Sequence, residues 1–551
     1  MKHSELLAYG IVESLFKGAI KPSAGMCPEG AHGTAATSRR TTMTVSALVI
    51  LILGVACAQA QIGQPVAPSQ ATVANQLPLT GRNTLAGSVS ATQSPVPGTT
   101  TSVNTLNTSV QASGPFTGSV NSTAKMPFSG SLSFREAIRR GLDYNLGAIG
   151  SASALRQALG QARVVRSSLL PNVNATLSET EQQINLAIAG IGLRSFGGFS
   201  IPTVVGPFNY FDLRGRLNQT IVDIAAWKNY GSAKEVARAS RFTLQDARGL
   251  VVLSVGGAYL QTIAAKARVD SARAQLDTAK ALFDQTAQQR GVGLVAQTDV
   301  NRSRVQMLTQ QERLTTLQNE LSKQKINLAR MTGLPASDEF EISDDVPFSP
   351  AAPVRLNDAL QEAYAQREDL KAAEAQVRAA TLTKAAARAE RLPSLSLSAD
   401  YGANGLTPGQ SHGVFNVTGT LTVPIWRGGR TEGDIEQADA ALTQRMAEVE
   451  DLRGKIEGDV RSAYLDLQAA ANQVHVASEN LKVTKETLDL TQQRFQAGVS
   501  DNLEVVQAQE ALASADLDYI NSVFAHNVAK LALARATGTA TENIGQFLKL
   551  P

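Results

Sequence analysis

Residues 435–495 carry one uninterrupted periodic pattern. Apolar positions step by alternating threes and fours through Leu442, Met446, Val449, Ile456, Val460, Ala463, Leu467, Ala470, Val474, Ala477, Leu481, Leu488 and Phe495, a heptad seam broken most plainly at Arg453. No proline interrupts it, so the spacing predicts a single helix of about 90 Å. A rod of that length suits a bridge between two places better than the core of a compact domain.

The pattern recurs. With the chain shifted by 205 residues, Val251, Val255, Ala258, Ala265, Val269, Ala272, Leu276, Ala279 and Phe283 fall under the later helix, almost all on its seam. The registration continues with Gly293 under Gly498, Asp299 and Val300 under Glu504 and Val505, and Leu328 to Gly333 under Leu533 to Gly538. An earlier block repeats at a shift of 222, where Ala137 meets Ala359 and Leu170-Pro171 meets Leu392-Pro393. The chain is a tandem duplication, with its first repeat at 132–345 and its second at 346–551.

Each repeat opens on a helix. Ser133-Phe134-Arg135-Glu136 is a capping box for a helix that ends before Pro171, and the same helix recurs up to Pro393. Alternation follows: Val173, Ala175 and Leu177 against Asn174, Thr176 and Ser178, and Leu395, Leu397, Ala399 and Tyr401 against Ser394, Ser396, Ser398 and Asp400. A second strand answers each one. Phe211, Leu213, Leu217 and Ile221 alternate with Asp212, Arg214, Arg216 and Asn218; Phe415, Val417, Leu421, Val423 and Ile425 alternate with Asn416, Thr418, Thr420 and Thr422.

These segments have about the ten residues that cross an outer membrane, with an apolar side for lipid and a polar side for a watery lumen. Asp212, Arg214 and Arg216 then line that lumen, where they tune ion passage; a soluble sandwich would alternate equally well. Tyr210, Trp227, Tyr230, Tyr401 and Trp426 gather near strand ends, where interfacial aromatics belong. Four strands cannot close a membrane barrel, which takes about eight or more, so copies of the chain must share one. The predicted fold class is an α+β membrane protein: duplicated coiled-coil hairpins plus four transmembrane strands per chain. The longer interstrand loop at 190–207, against 402–413, suits an extracellular face.

The N-terminal part reads differently. Arg39-Arg40 precede an apolar run at 47–58, followed by Ala58-Gln59-Ala60, a small-x-small cleavage pattern with the cut before Gln61. Residues 1–60 are thus expected to be an export signal, with a start at Met43 or lipid attachment at Cys57 as alternatives. Both cysteines, Cys27 and Cys57, precede the cut. Residues 61–131 are rich in Ser, Thr, Gly and Pro and are expected to be a disordered arm. A net charge of +3, 18% charged residues and no basic run exclude a nucleic-acid partner. The five histidines lack metal-ligand spacing, and no phosphate loop or nucleophile elbow occurs, so neither cofactor nor enzymatic activity is expected.

At the far end each rod turns back. Gly293 and Gly498 can supply the left-handed residue that ends the outgoing helix, while Thr298 and Asn502 can cap the returning one. Asp299 and Glu504 fall in the first turn of those helices, where the dipole favours acids.

The duplicated order of long helix, glycine turn and helix, with two alternating strands per copy, resembles the TolC-type outer-membrane efflux proteins of Gram-negative bacteria. The residues that carry it are Gly293-Leu294-Val295-Ala296-Gln297-Thr298-Asp299-Val300, Leu421-Thr422-Val423-Pro424-Ile425 and Arg330-Met331-Thr332-Gly333, within a match over 132 to about 540. The resemblance implies a homotrimer with one shared twelve-stranded barrel and a hollow helical cylinder through the periplasm. Its implied role is the passive exit duct of a tripartite efflux or type I secretion system in the outer membrane. Implied partners are outer-membrane lipid, an inner-membrane pump of RND, ABC or MFS type, and a periplasmic adaptor docked at the tip on Gly293, Leu294, Val295, Gly498 and Val499.

The resemblance also implies a tip held nearly shut. Thr298 and Asp299 match the family's polar contact and Glu504 one acidic pore position, while Phe495 replaces a tyrosine, Ser500 an arginine and Gln507 a second acid. Asp501 adds acidity beside them. Three copies of Glu504 are expected to form a constriction that weakly selects cations and relaxes in acid. A periplasmic coiled-coil adaptor and a structural envelope protein without a pore are the alternatives from other classes.

Overall fold

The computed structural model describes residues 87–96, 105–120, 130–185, 203–336, 339–344, 347–351 and 353–541. The export signal with its two cysteines and most of the loop at 190–207 lie outside the described residues. A hairpin of β1 (Val89–Val96) and β2 (Thr105–Ala112) comes first. The first repeat then runs β3 (Ser131–Leu132), α1 (Phe134–Tyr144), α2 (Leu146–Ser167), β4 (Asn172–Asn185), β5 (Val204–Val222), α3 (Ile224–Gly291) and α4 (Gln297–Thr332). The second repeats that order as β6 (Glu341–Ile342), α5 (Leu356–Gln366), α6 (Glu368–Ala389), β7 (Ser394–Gly405), β8 (His412–Thr422), α7 (Arg430–Gln496) and α8 (Asn502–Thr537).

The rods α3 and α7 have 68 and 67 residues, about 100 Å each. Asp223 starts α3 by accepting the amide of Ala226 at 2.9 Å. Most of the α7 seam is buried, from Val449 through Ile456, Val460 and Leu467 to Phe495. Met446 departs from it: it is exposed, and the neighbouring Arg445 is buried with its guanidinium 2.7 Å from Glu448. Arg453 leaves the seam to reach Glu450 and, on α6, Glu374.

The single helix expected before each proline is two helices. Ser133 caps the first as anticipated, accepting from the amide of Glu136. Asn145 then breaks the helix: its Oδ1 accepts the amide of Gly147 and its Nδ2 donates to the carbonyl of Phe116, both at 2.9 Å. The second repeat breaks at Arg367, the equivalent position under the 222 shift, where the guanidinium holds Asp369 at 2.7 Å and Asp459 at 3.0 Å. At Asn145 a short polar side chain that satisfies a free helix end favours the break over continuation; Arg367 makes no such cap and is held by its ion pairs instead.

The arm is not disordered throughout. Val89, Ala91, Val110 and Ala112 of the hairpin pack on the core, and the following turn buries Phe116. Val110 lies over Gly257 of α3, where a Cβ would come within 2.6 Å, and Gln93 donates to the carbonyl of Ala525 on α8. The small apolar side chains bury too little surface by themselves. They order because α3 and α8 supply the other wall.

Behind that strap lies the main core. All ten residues at 251–260 of α3 are buried, among Phe134 of α1, Leu328 and Met331 of α4, and Val528 and Leu531 of α8. This stretch makes α3 apolar enough to cross a membrane by composition, yet most of it is interior. The Tyr259 hydroxyl donates to the carbonyl of Leu132 at 2.9 Å, and its ring meets Phe134 edge-on at 5.4 Å. A second core joins Ala359, Ala363 and Leu370 to Ile456, Val460, Leu467 and Leu533.

Two layers grow from this equator. Antiparallel strands form a sheet in the order β4-β5-β7-β8. Towards the turns the rods pack in the order α4-α3-α8-α7. Both layers stop at open edges, β4 and β8 in one, α4 and α7 in the other.

Candidate functional site

The sheet separates its faces as a pleat requires. On one face Val173, Leu177, Leu213, Phe415, Val417 and Leu421 are between 45% and 78% exposed. On the other, Asp212, Arg214 and Arg216 follow one another down β5. Arg214 donates to Asp212 at 2.7 Å and, across the sheet, to Asp400 of β7 at 3.0 Å. Gly402 lies opposite Arg214, and a Cβ there would strike the Leu213 carbonyl and come within 2.8 Å of the Arg214 side chain. Arg216 is exposed and forms no ion pair among the described residues. Asp400 was already legible as the polar partner of Ala399 and Tyr401 in the alternation; the strand register is what brings it to Arg214.

At the other end both outgoing rods close with the same motif. Gly293 and Gly498 adopt φ of +78° and +71°. Leu294 donates to the carbonyl of Gln289 at 2.9 Å and Gly293 to that of Arg290 at 3.0 Å; Val499 and Gly498 repeat this on Arg494 and Phe495. These paired bonds satisfy carbonyls that a helix end leaves free.

The returning helices are capped by other residues than expected. Thr298 sits exposed one residue inside α4, and the helix entry is closed by Asp299, whose carboxylate accepts the amide of Ala296 at 3.3 Å. In the second turn Asp501 is the cap, accepting from Leu503 at 3.0 Å and Glu504 at 3.3 Å. Asn502, displaced into the helix and buried, instead donates from Nδ2 to the carbonyl of Asp299 at 3.0 Å. This bond ties one hairpin tip to the other. Sequence periodicity could not place it, because the two residues lie on different repeats.

The candidate gate residues therefore divide. Glu504 and Gln507 are exposed one turn apart on α8, and Glu504 is 3.3 Å from Arg494 across the turn. Asp299 pairs with Arg302 at 3.2 Å. Phe495 stands apart: it is buried with Leu282, Leu488, Val505 and Val506 between the rods. At the extremity Val292, Leu294 and Val499 are 70% to 75% exposed, whereas Val295 is half-buried.

The outer membrane efflux protein model matches residues 150–334 and 359–539, both repeats of the fold. The chain belongs to that family. Among its relatives, the pyoverdine export outer membrane protein OpmQ of Pseudomonas putida is 25% identical over 407 residues, covering 70% of this chain and 82% of its own. The outer membrane protein TolC of Vibrio cholerae is 24% identical over 401 residues, covering 71% and 87%. The solved outer membrane protein VceC of Vibrio cholerae superposes with a TM-score of 0.63 at 19% identity, over 74% of this chain and 96% of that one. This efflux protein is thus a TolC-type channel protein of the outer membrane, and the strap at 87–120 precedes the residues that match the family.

Proposed function

We propose that three copies of this efflux protein close into one conduit, with twelve strands through the outer membrane and twelve rods through the periplasm. The observation that carries this reading is the match between the open edges of the two layers. Strand edges left unpaired in lipid would strand backbone groups at several kcal/mol each. The edge rods also carry apolar positions outside their own seams: Val476, Val483 and Leu490 at seven-residue spacing on α7, and Val305 and Leu308 on α4, all 49% to 62% exposed. Neighbouring copies would cover them.

The conduit is passive. An inner-membrane pump of RND, ABC or MFS type supplies the energy, and a periplasmic adaptor docks on the exposed Val292, Leu294 and Val499. Glu504 and Gln507 of three copies face one another at the tip, with Asp299, Thr298 and Asp501 shaping the turns around them and Phe495 fixing the rods behind. Exit is controlled there.

The mass of the detergent-extracted particle tests the assembly. Wild type should run as a trimer, and Val483→Asp should give helical monomers. A wild-type particle that is monomeric when extracted without denaturation would overturn the reading. Planar-bilayer conductance of wild type beside Glu504→Gln tests the tip: small, cation-preferring steps should lose part of that preference in the variant.

A further inference from the structure

We propose that the barrel lumen carries, towards its helical end, a cationic binding ring for oxyanions, formed by Arg216 from three copies and left free by a clamp of Asp212, Arg214 and Asp400. The inference rests on the barrel reading above and adds to it a recognition chemistry at the membrane end.

The strand register fixes the geometry. Among the described residues of the four strands, the carboxylate and guanidinium side chains on the polar face are Asp212, Arg214 and Arg216 of β5 and Asp400 of β7. His412 of β8 stands on that face two rungs beyond Arg214's clamp partner Asp400 and further from the helices, and Glu179 and Glu181 of β4 lie on the opposite face. Arg216 stands directly opposite Asp400, the natural position for a cross-strand ion pair. That pair does not form. Asp400 gives its oxygen to Arg214 from the next rung, and Arg214 is held from its other side by Asp212. The three clamp side chains are only 15% to 23% exposed, and the bonds are 2.7 and 3.0 Å, short enough for charge-assisted contacts.

Gly402 lets β5 and β7 approach closely beside the clamp: a Cβ there would strike the Leu213 carbonyl and come within 2.8 Å of the Arg214 side chain. Arg214 is a structural cation whose Nε and one Nη are committed to Asp212 and Asp400. Arg216, one rung closer to the helices and flanked on β4 by the neutral Asn174, keeps its planar fork of donors for the lumen. A guanidinium presented in this way matches carboxylate and phosphate geometry with two parallel bonds. Threefold repetition would place three of them at one height, so a solute bearing several carboxylates or phosphates would be bound in preference to a cation of equal size.

Citrate, with three carboxylates, is a suitable probe in a planar bilayer, added on the barrel side. Wild type should be blocked by citrate. Arg216→Gln should raise the half-blocking concentration at least about tenfold and shift the reversal potential in a salt gradient towards cations. Arg216→Lys should keep the reversal potential but lose much of the block, because the charge remains while the two-bond fork is gone. Asp400→Asn frees a donor of Arg214 and should shift the reversal potential towards anions. If wild type conducts but Arg216→Gln leaves block and reversal potential unchanged, the ring is wrong and the barrel stands. If the particle extracted without denaturation is monomeric, the barrel reading itself falls.

Discussion

The same pair of rods, α3 and α8, is built in two chemistries along its length. At the equator α3 is buried on every side over residues 251–260, and α8 answers with Val528, Leu531 and Leu533. Near the turns the interior holds Thr286, Ser303, Gln306, Gln310, Thr491, Asn502 and Gln509 beside a small cluster around Phe495. The Oε1 of Gln310, the Oδ1 of Asn502 and both amide atoms of Gln509 are buried without a hydrogen-bond partner. Unpartnered polar atoms of this kind each cost about 1–3 kcal/mol; the equator carries some too, at His526 and Asn527, but sets them in a far larger apolar core, so the tip is held less tightly than the equator. A rod that must stay anchored at one end and part from its neighbours at the other needs such an asymmetry.

The contrast breaks most readily at Tyr259. This side chain is fully buried, packs on Phe134 and bonds the main chain of Leu132. Tyr259→Ala should destabilise the protein by about 3–5 kcal/mol, read as a lowered thermal midpoint of the extracted particle by circular dichroism. A midpoint that barely moves would mean the equator is not the anchor.

Acid probes the equator by a second route. His526 of α8 is fully buried against Phe348, neither ring nitrogen has a hydrogen-bond partner, and burial together with the nearby Lys530 lowers its pKa to about 4. The unfolded chain takes up that proton near pH 6.5. Between these values the unfolded state binds more protons, so stability falls as pH drops from about 6.5 to 4, by at most about 3 kcal/mol. His526→Leu should flatten the thermal midpoint against pH across that window. An identical slope in wild type and variant would remove His526 from the account.

Much of this division was legible in the sequence, because both layers are periodic. Heptad spacing and strand alternation needed no tertiary information, and the glycine turns followed from a backbone requirement that only Gly293 and Gly498 meet cheaply. What escaped depended on partners far along the chain. The strap at 87–120 alternates Val89, Ala91, Val110 and Ala112 with Ser and Thr, but its ordering comes from α3 and α8. The breaks at Asn145 and Arg367 rest on contacts to Phe116 and Asp459. At the tip the caps fell to Asp299 and Asp501, since a carboxylate just outside or folded back onto the first turn reaches the free amides that Thr298 and Asn502 do not. The bond from Asn502 to Asp299 and the pair of Arg494 with Glu504 join segments that no local pattern connects.

The tip half of the contrast can be sharpened with a change of opposite sign. Gln509→Leu removes a buried amide with no partner and supplies apolar volume next to Val505 and Val506. It should stabilise the tip by about 1–2 kcal/mol, visible as slower hydrogen exchange over residues 282–310 and 488–510, with exchange at 251–260 unchanged. Faster exchange at the tip would show that Gln509 is satisfied there and that the interior is tighter than its composition suggests.

The smallest effect is expected at Asp501, which nevertheless isolates the turn from everything else. Its carboxylate holds the amides of Leu503 and Glu504, and it stands exposed just outside the helix. Asp501→Ala should cost about 1 kcal/mol of local helix stability, because two first-turn amides lose their acceptor, while Asp501→Asn should retain most of it. Fraying at the start of α8 would loosen Asn502 from the carbonyl of Asp299 and Glu504 from Arg494, so exchange should accelerate at 502–506 and also, through the tether, at 297–300. If only the second turn responds, the two hairpin tips move independently and the bond between them does not couple them.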